Sequence, residues 1–150
     1  MAQGTSSHQS PAFIYQGSHQ NILTEVKPFY VPERSLPSHN VYFYAYAITI
    51  KNLSDIPCRL MRRCWFVNSG NGKKEKIEGE GVLGNQPLIE PGEQFKYASF
   101  CPLQSPYGNM RGRYQMWNQK KGLFWVRVPV FFFRPPPVIT GPFSTNSPTH

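Results

Sequence analysis

The 15 prolines and 12 glycines of this 150-residue chain cut it into short segments, and no segment is long enough for an extended helix. Aromatic side chains make up 15% of the residues and fall in β-branched, aromatic runs rather than at helical spacing. The chain is therefore expected to be all-β. No run approaches the length of a membrane span.

The clearest strand is "VYFYAYAITIK", with Tyr42, Tyr44 and Tyr46 on one face and Val41, Phe43, Ala45 and Ala47 on the other. Before it, "NILTEVKPFYV" alternates more weakly and carries Pro28, which suits an edge strand. In "CRLMRRCWFV", Leu60, Arg62, Cys64 and Phe66 alternate with Arg59, Met61, Arg63 and Trp65. Its end, "NSGNG", holds the Asn-Gly pair of a tight hairpin, and "KKEKIE" returns. The Pro-Gly of "QPLIEPGEQ" marks a turn before "FKYASF". "MRGRYQMWN" and "LFWVRVPVFFF" form a last hairpin around "QKKG". About seven or eight short strands joined by turns predict an antiparallel β-sandwich, immunoglobulin or fibronectin type III-like. The sandwich is assigned to residues 21–137, with an unstructured segment at 1–20 and a flexible tail at 138–150.

The N-terminal residues lack an apolar signal core and any basic residue, so no secretory or Arg-rich transit signal is read there. The three cysteines, Cys58, Cys64 and Cys101, are odd in number and without a C-x-x-C pair. They fit free thiols in a reducing, intracellular compartment, cytoplasmic or organellar. Even spacing places Cys58 and Cys64 on one face of one strand.

The net charge of +8 is uneven. After Glu93 there is no acidic residue, while Lys96, Arg111, Arg113, Lys120, Lys121, Arg127 and Arg134 follow. Such a half suits a polyanionic partner, RNA or an acidic protein surface, or simply keeps the protein soluble. On the last hairpin, alternation puts Gly112, Tyr114 and Met116 towards the core, together with Phe124, Val126 and Val128. Arg111, Arg113, Trp125 and Arg127 are then left as an exposed platform. Arginine beside an aromatic suits RNA stacking, a protein hot spot, or plain packing over the sheet.

"GEGVLG", residues 79–84, matches the dinucleotide fingerprint G-x-G-x-x-G. A Rossmann turn needs a buried strand before it and a helix after it. Here "KKEKIE" precedes, and Pro87 and Pro91 follow. The G-K-[ST] ending of a P-loop is also missing. Two readings remain for Gly79, Gly81 and Gly84: a tight turn, or a backbone cradle for an anion.

The same stretch carries a resemblance. "GEGVLGNQPLIEPGEQFKYASFCPLQSPYGNMRGRYQM", with "FWVRVPVFFF" after it and "VYFYAYAITIKNLSD" and "RRCWFVNSGNGKKEKIEGEG" before it, resembles the ApaG family. The likeness spans residues 22–134, nearly the whole ordered domain. It implies a fibronectin III/immunoglobulin-like sandwich with no established catalytic activity. The family includes single-domain bacterial proteins and modules of eukaryotic F-box and DNA-polymerase-interacting proteins, and is regarded as a protein–protein interaction domain. It also implies a loose link to cobalt and magnesium resistance, and pyrophosphate binding at the glycines that map to Gly79, Gly81 and Gly84. The basic "WNQKKGLFWVRVPVFFFRPPP" departs from the acidic hairpin of a bacterial member and points towards an organellar or nucleic-acid-associated setting.

No catalytic constellation is legible. His8, His19, His39 and His150 fall in tails or connections, without metal-ligand spacing. Cys101 has no basic partner nearby in sequence, and Glu78 and Glu80 read as solvated strand-end carboxylates. The expectation is a non-enzymatic module with no metal or cofactor that docks onto protein partners. RNA association and nucleotide or pyrophosphate binding at residues 79–84 are the alternatives. The sequence leaves the oligomeric state open.

Overall fold

The structure, a computed structural model, describes residues 13–136. Among the described residues nine strands follow one another: β1 (Tyr15–His19), β2 (Ile22–Tyr30), β3 (Tyr42–Asn52), β4 (Cys58–Ser69), β5 (Lys74–Glu80), β6 (Leu88–Ile89), β7 (Gln94–Leu103), β8 (Gly108–Asn118) and β9 (Gly122–Phe133). Two single-turn 3-10 helices, Pro32–Arg34 and Pro37–His39, join β2 to β3. One sheet has the order β1-β2-β3-β7, the other β5-β4-β8-β9, with β6 beside β4. Every pairing is antiparallel. The fibronectin III/immunoglobulin-like sandwich expected from the strand pattern is the fold observed.

The two inner faces meet in one aromatic core. Tyr44, Tyr46, Ile48 and Ile50 of β3 face Trp65 and Val67 of β4, Tyr114 and Met116 of β8, and Phe131 and Phe133 of β9. Trp65 touches Tyr114 and Phe131 edge-on at 5.7 and 5.8 Å between ring centres. Each large side chain so buried contributes about 1.5–3 kcal/mol. Gly112 lies under Trp65: a methyl there would overlap the Cys64 carbonyl oxygen and stand 2.5 Å from the indole Cε3. The alternation of "VPVFFF" resolves in the same way, with Phe131 and Phe133 buried and Phe132 exposed.

Three expectations are corrected. Tyr15–His19 form β1, antiparallel to β2, so the sandwich begins inside the segment read as unstructured. Residues before 13, and the 138–150 tail, lie outside the described residues. Secondly, β2 is not an edge strand along its whole length, because β1 covers it from Ile22 to Val26. Pro28 lies beyond that cover, where β2 pairs with β3 alone and the missing N–H costs nothing.

Thirdly, Cys58 and Cys64 do not share a face. A bulge between Leu60 and Arg62 shifts the β4–β8 register, so the face parity changes along the strand. Cys58 lies in the core, and Cys64 is buried outside it, beside Glu78.

Candidate functional site

The outer face of the β5-β4-β8-β9 sheet gathers the predicted platform. Once Tyr114, Met116, Val126 and Val128 point into the core, period-two alternation sends their neighbours outward. One cross-strand row runs Glu78, Cys64, Arg113, Arg127, and the next runs Glu80, Arg62, Gln115, Trp125. On the other side of the first row stand Lys76, Phe66 and Arg111. Arg111, Arg113, Arg127 and Trp125 are all exposed. A second register shift, between Met110 and Gly112, sits where β9 carries Pro129, a residue unable to complete the ladder.

The guanidinium carbon of Arg113 lies 4.7 Å from the Trp125 ring centre, and that of Arg111 lies 5.9 Å from Phe66. Arg113 and Arg127 are directly opposite each other, a like-charge pair that opposes folding. Among the described residues, the ion pair on this sheet is Lys76–Glu78 at 3.4 Å, and neither Arg113 nor Arg127 has one. The platform is thus assembled as expected. Phe66 and Arg62 extend it, both on the side of β4 opposite buried Trp65.

The glycine segment is a tight hairpin. Val82 and Asn85 exchange both backbone hydrogen bonds, at 2.8 and 2.9 Å, around Leu83 and Gly84. Both central residues have positive φ, 49° and 79°, which is the type I′ pattern. Gly81 has φ 59°, and a side chain there would overlap the Asn85 carbonyl oxygen. Its N–H donates to the Met61 carbonyl at 2.8 Å. The amides of Gly81, Val82 and Asn85 are therefore engaged within the fold, and turn shape accounts for Gly81 and Gly84.

Gly79 has a different task. The Arg63 guanidinium lies against it, 3.1–3.3 Å from where a methyl would stand. Arg63 Nη1 donates to the carbonyls of Glu80 (3.1 Å) and Gly81 (2.9 Å). The loop presents carbonyls to a cation here.

Arg63 pairs in register with buried Tyr114 and shares the inward parity of Trp65 and Val67. It borders a cavity of about 300 Å3 lined by Tyr46, Trp65, Tyr97, Ser99 and the hairpin. Tyr97 and Tyr114 join their hydroxyls in a hydrogen bond. Burial pushes the hydroxyls of Tyr46, Tyr97 and Tyr114 up in pKa, and the Arg63 charge opposes that in all three. A larger cleft, about 530 Å3, lies nearer the β4–β5 turn, and its lining carries both Lys73 and Glu75.

Cys101 is buried, and burial with the Glu75 charge pushes its thiol up to about 12, which leaves little nucleophilic thiolate. Among the described residues, no three His, Cys, Asp or Glu side chains group to hold a metal ion. His19 Nδ1 accepts the Arg127 backbone N–H at 2.9 Å, so it caps the outer edge of β9. No helix of the described residues is long and apolar enough to cross a membrane.

Fold and surface together define an antiparallel sandwich that presents a cationic, aromatic sheet face. Its relatives are clear. The ApaG domain model matches residues 32–118, and the chain belongs to the ApaG family. It is 42% identical over 118 residues to Protein ApaG of Mesorhizobium japonicum, covering 79% of this chain and 91% of that one. Protein ApaG of Escherichia coli is 37% identical over 118 residues, covering 79% and 94%. The solved structure of an ApaA protein from Bordetella pertussis superposes with a TM-score of 0.76 at 35% identity, covering 87% of this chain and 99% of that one. None of these names assigns a reaction.

Proposed function

We propose that this chain is a non-enzymatic interaction module, and that the outer face of its five-stranded sheet docks onto a protein partner with an acidic surface. The observation that carries this reading is the opposed Arg113–Arg127 pair, exposed beside Trp125 and without an ion pair among the described residues. Two like charges held together cost the free protein stability, and an acidic partner removes that cost on binding. Trp125 adds a rigid apolar anchor of the kind that dominates interface energies. The three free, buried thiols suit a reducing compartment, cytoplasmic or organellar.

RNA is the second reading. The absence of acids after Glu93 and the stacked Arg113–Trp125 pair favour it, because phosphate contacts and base stacking use the same two groups. One experiment separates the two. The tagged protein is captured from its native cells as wild type and as Arg113→Glu, each with and without nuclease, and partners are read by mass spectrometry. Protein partners that survive nuclease and fall away with Arg113→Glu support docking. Partners lost on nuclease replace this reading with RNA association, and partners indifferent to Arg113→Glu remove the face from the account.

A further inference from the structure

An open sandwich ends in strand edges, whose unpaired N–H and C=O groups accept another strand unless something prevents it. Among the described residues one sheet ends at β1 and β7, the other at β5 and β9. Three of these edges are blunted. β1 is short and polar. β5 carries Lys74, Glu75, Lys76, Glu78 and Glu80. β9 contains Pro129, which has no N–H, and its Arg127 N–H already donates to His19 Nδ1.

β7 is the exception. It runs for ten residues, and its register with β3 is unbroken from Gln94 to Leu103. Lys96 is its one charged residue, and its proline, Pro102, stands next to its end. Its free backbone groups follow from the ladder on its other side. The Val31 N–H donates to the Phe43 carbonyl at 2.8 Å, so Phe43 turns its backbone groups towards β2. Antiparallel alternation then turns Tyr44, Tyr46, Ile48 and Ile50 towards β7, where they pair with Cys101, Ser99, Tyr97 and Phe95. Lys96, Ala98 and Phe100 are left with both N–H and C=O facing away from the sheet. All three residues are exposed, Phe100 at 58%.

We propose that this chain forms a two-fold dimer in which the β7 strands of two copies pair antiparallel, with Ala98 opposite its own counterpart, joining two four-stranded sheets into one. Ala98 lies near the middle of β7, so it places a small side chain on the axis and its outward N–H and C=O in a hydrogen-bonded pair. Lys96 of each copy then faces Phe100 of the other, setting an ammonium and its methylene stem against an exposed ring. Gln94 faces Pro102, whose carbonyl accepts where its missing N–H cannot donate. On the inner side large meets small, with Tyr97 facing Ser99. No cation of β7 meets its own counterpart, because Lys96 is the strand's one charge. The opposed Arg113 and Arg127 belong to the other sheet, so this inference is independent of the docking face, which stays open on both copies. A foreign extended strand would use the same backbone groups, and it is the alternative the test excludes.

The test is sedimentation velocity of the full chain at rising concentration, with disulfide cross-linking as the check on register. The wild type is expected to sediment as a dimer in the micromolar range. Phe100→Lys sets two ammonium groups face to face and is expected to weaken the dimer at least tenfold. Should that variant unfold, cross-linking decides. Cys58, Cys64 and Cys101 are buried, so a thiol added to the outer side of β7 is the exposed one among the described residues. Ala98→Cys is expected to give a disulfide-linked dimer on mild oxidation, since directly opposed strand residues lie within bridging distance. Phe100→Cys is expected not to, because in this register its two thiols are offset along the strands. The proposal is overturned by a monomer at every concentration, by a dimer indifferent to Phe100→Lys, or by a dimer that cross-links at residue 100 and not at residue 98.

Discussion

The two outer faces of the sandwich use the same chemistry to different ends. On the four-stranded sheet, Phe29, Ala45 and Phe100 form one cross-strand row and Phe43 faces Pro102 in another. Arg34 reaches over them from the β2–β3 connection, 4.2 Å from the Phe43 ring centre and 5.4 Å from that of Phe100. On the five-stranded sheet the arginines grow from the strands themselves, and Arg113 stands beside Trp125 with Arg127 opposite. In the first case a loop cation lies over an aromatic surface. In the second, strand cations of one sign are held side by side with no ion pair among the described residues. A cation–aromatic contact alone therefore does not mark an interaction face; unrelieved like charge in a fixed register does.

That contrast can be broken in order of effect. The largest is Gly112→Ala, which sets a methyl against the Cys64 carbonyl and the Trp65 ring behind the platform. It is expected to cost about 3 kcal/mol or more in a urea unfolding curve, and no glycine of the four-stranded sheet face has that role. Next is charge reversal. Arg113→Glu is expected to weaken partner binding tenfold or more, about 1.4 kcal/mol or above, whereas Lys96→Glu on the opposite face changes it less than about twofold in the same pull-down.

Trp125→Ala follows, with a loss of about 1–2 kcal/mol in binding and a smaller change in stability, because the ring is already 38% exposed in the free protein. Arg34→Ala is smaller still. It removes a surface cation–aromatic contact worth about 0.5–1 kcal/mol, seen as a modest drop in melting temperature with partner binding intact.

The smallest effect is pH-dependent and lies where β1 of the four-stranded sheet meets β9 of the five-stranded one. Burial, Arg127 and Lys121 hold His19 below its ordinary pKa of 6.5, and only an unprotonated Nδ1 accepts the Arg127 N–H. The unfolded chain then takes up the proton first. The stability from this cap is complete above pH 6.5, falls as pH drops from there through the lowered folded value, and is lost below it. Unfolding midpoints at pH 7.5 and pH 5 are expected to lie further apart for wild type than for His19→Gln.

Much of this was legible in the chain and some was not. Alternation alone set Tyr44 and Tyr46 on one face of their strand, without saying which face was inward, and grouped Arg111, Arg113, Trp125 and Arg127 outward, because β8 and β9 form a local hairpin whose partners are near in sequence. Flanking residues removed the Rossmann reading of residues 79–84, since Pro87 and Pro91 exclude the helix it needs. The β4 bulge was not legible: one extra residue at Met61 leaves no mark in composition, yet it separates Cys58 from Cys64. β1 was also hidden, because Tyr15–His19 is a short, polar edge strand stabilised by β2 and by contacts with β9, such as His19 with the Arg127 amide. Arg63 could be placed on the face of Trp65 by alternation, but its lack of a carboxylate is a tertiary property.

The most direct measurement is hydroxyl-radical footprinting of the protein alone and in complex with its captured partner. Trp125 and Phe100 report on the two faces, at 38% and 58% exposure in the free protein. The expected result is strong protection of Trp125 in the complex with Phe100 unchanged. Protection of Phe100 with Trp125 as reactive as before would contradict the assignment of docking to the five-stranded sheet.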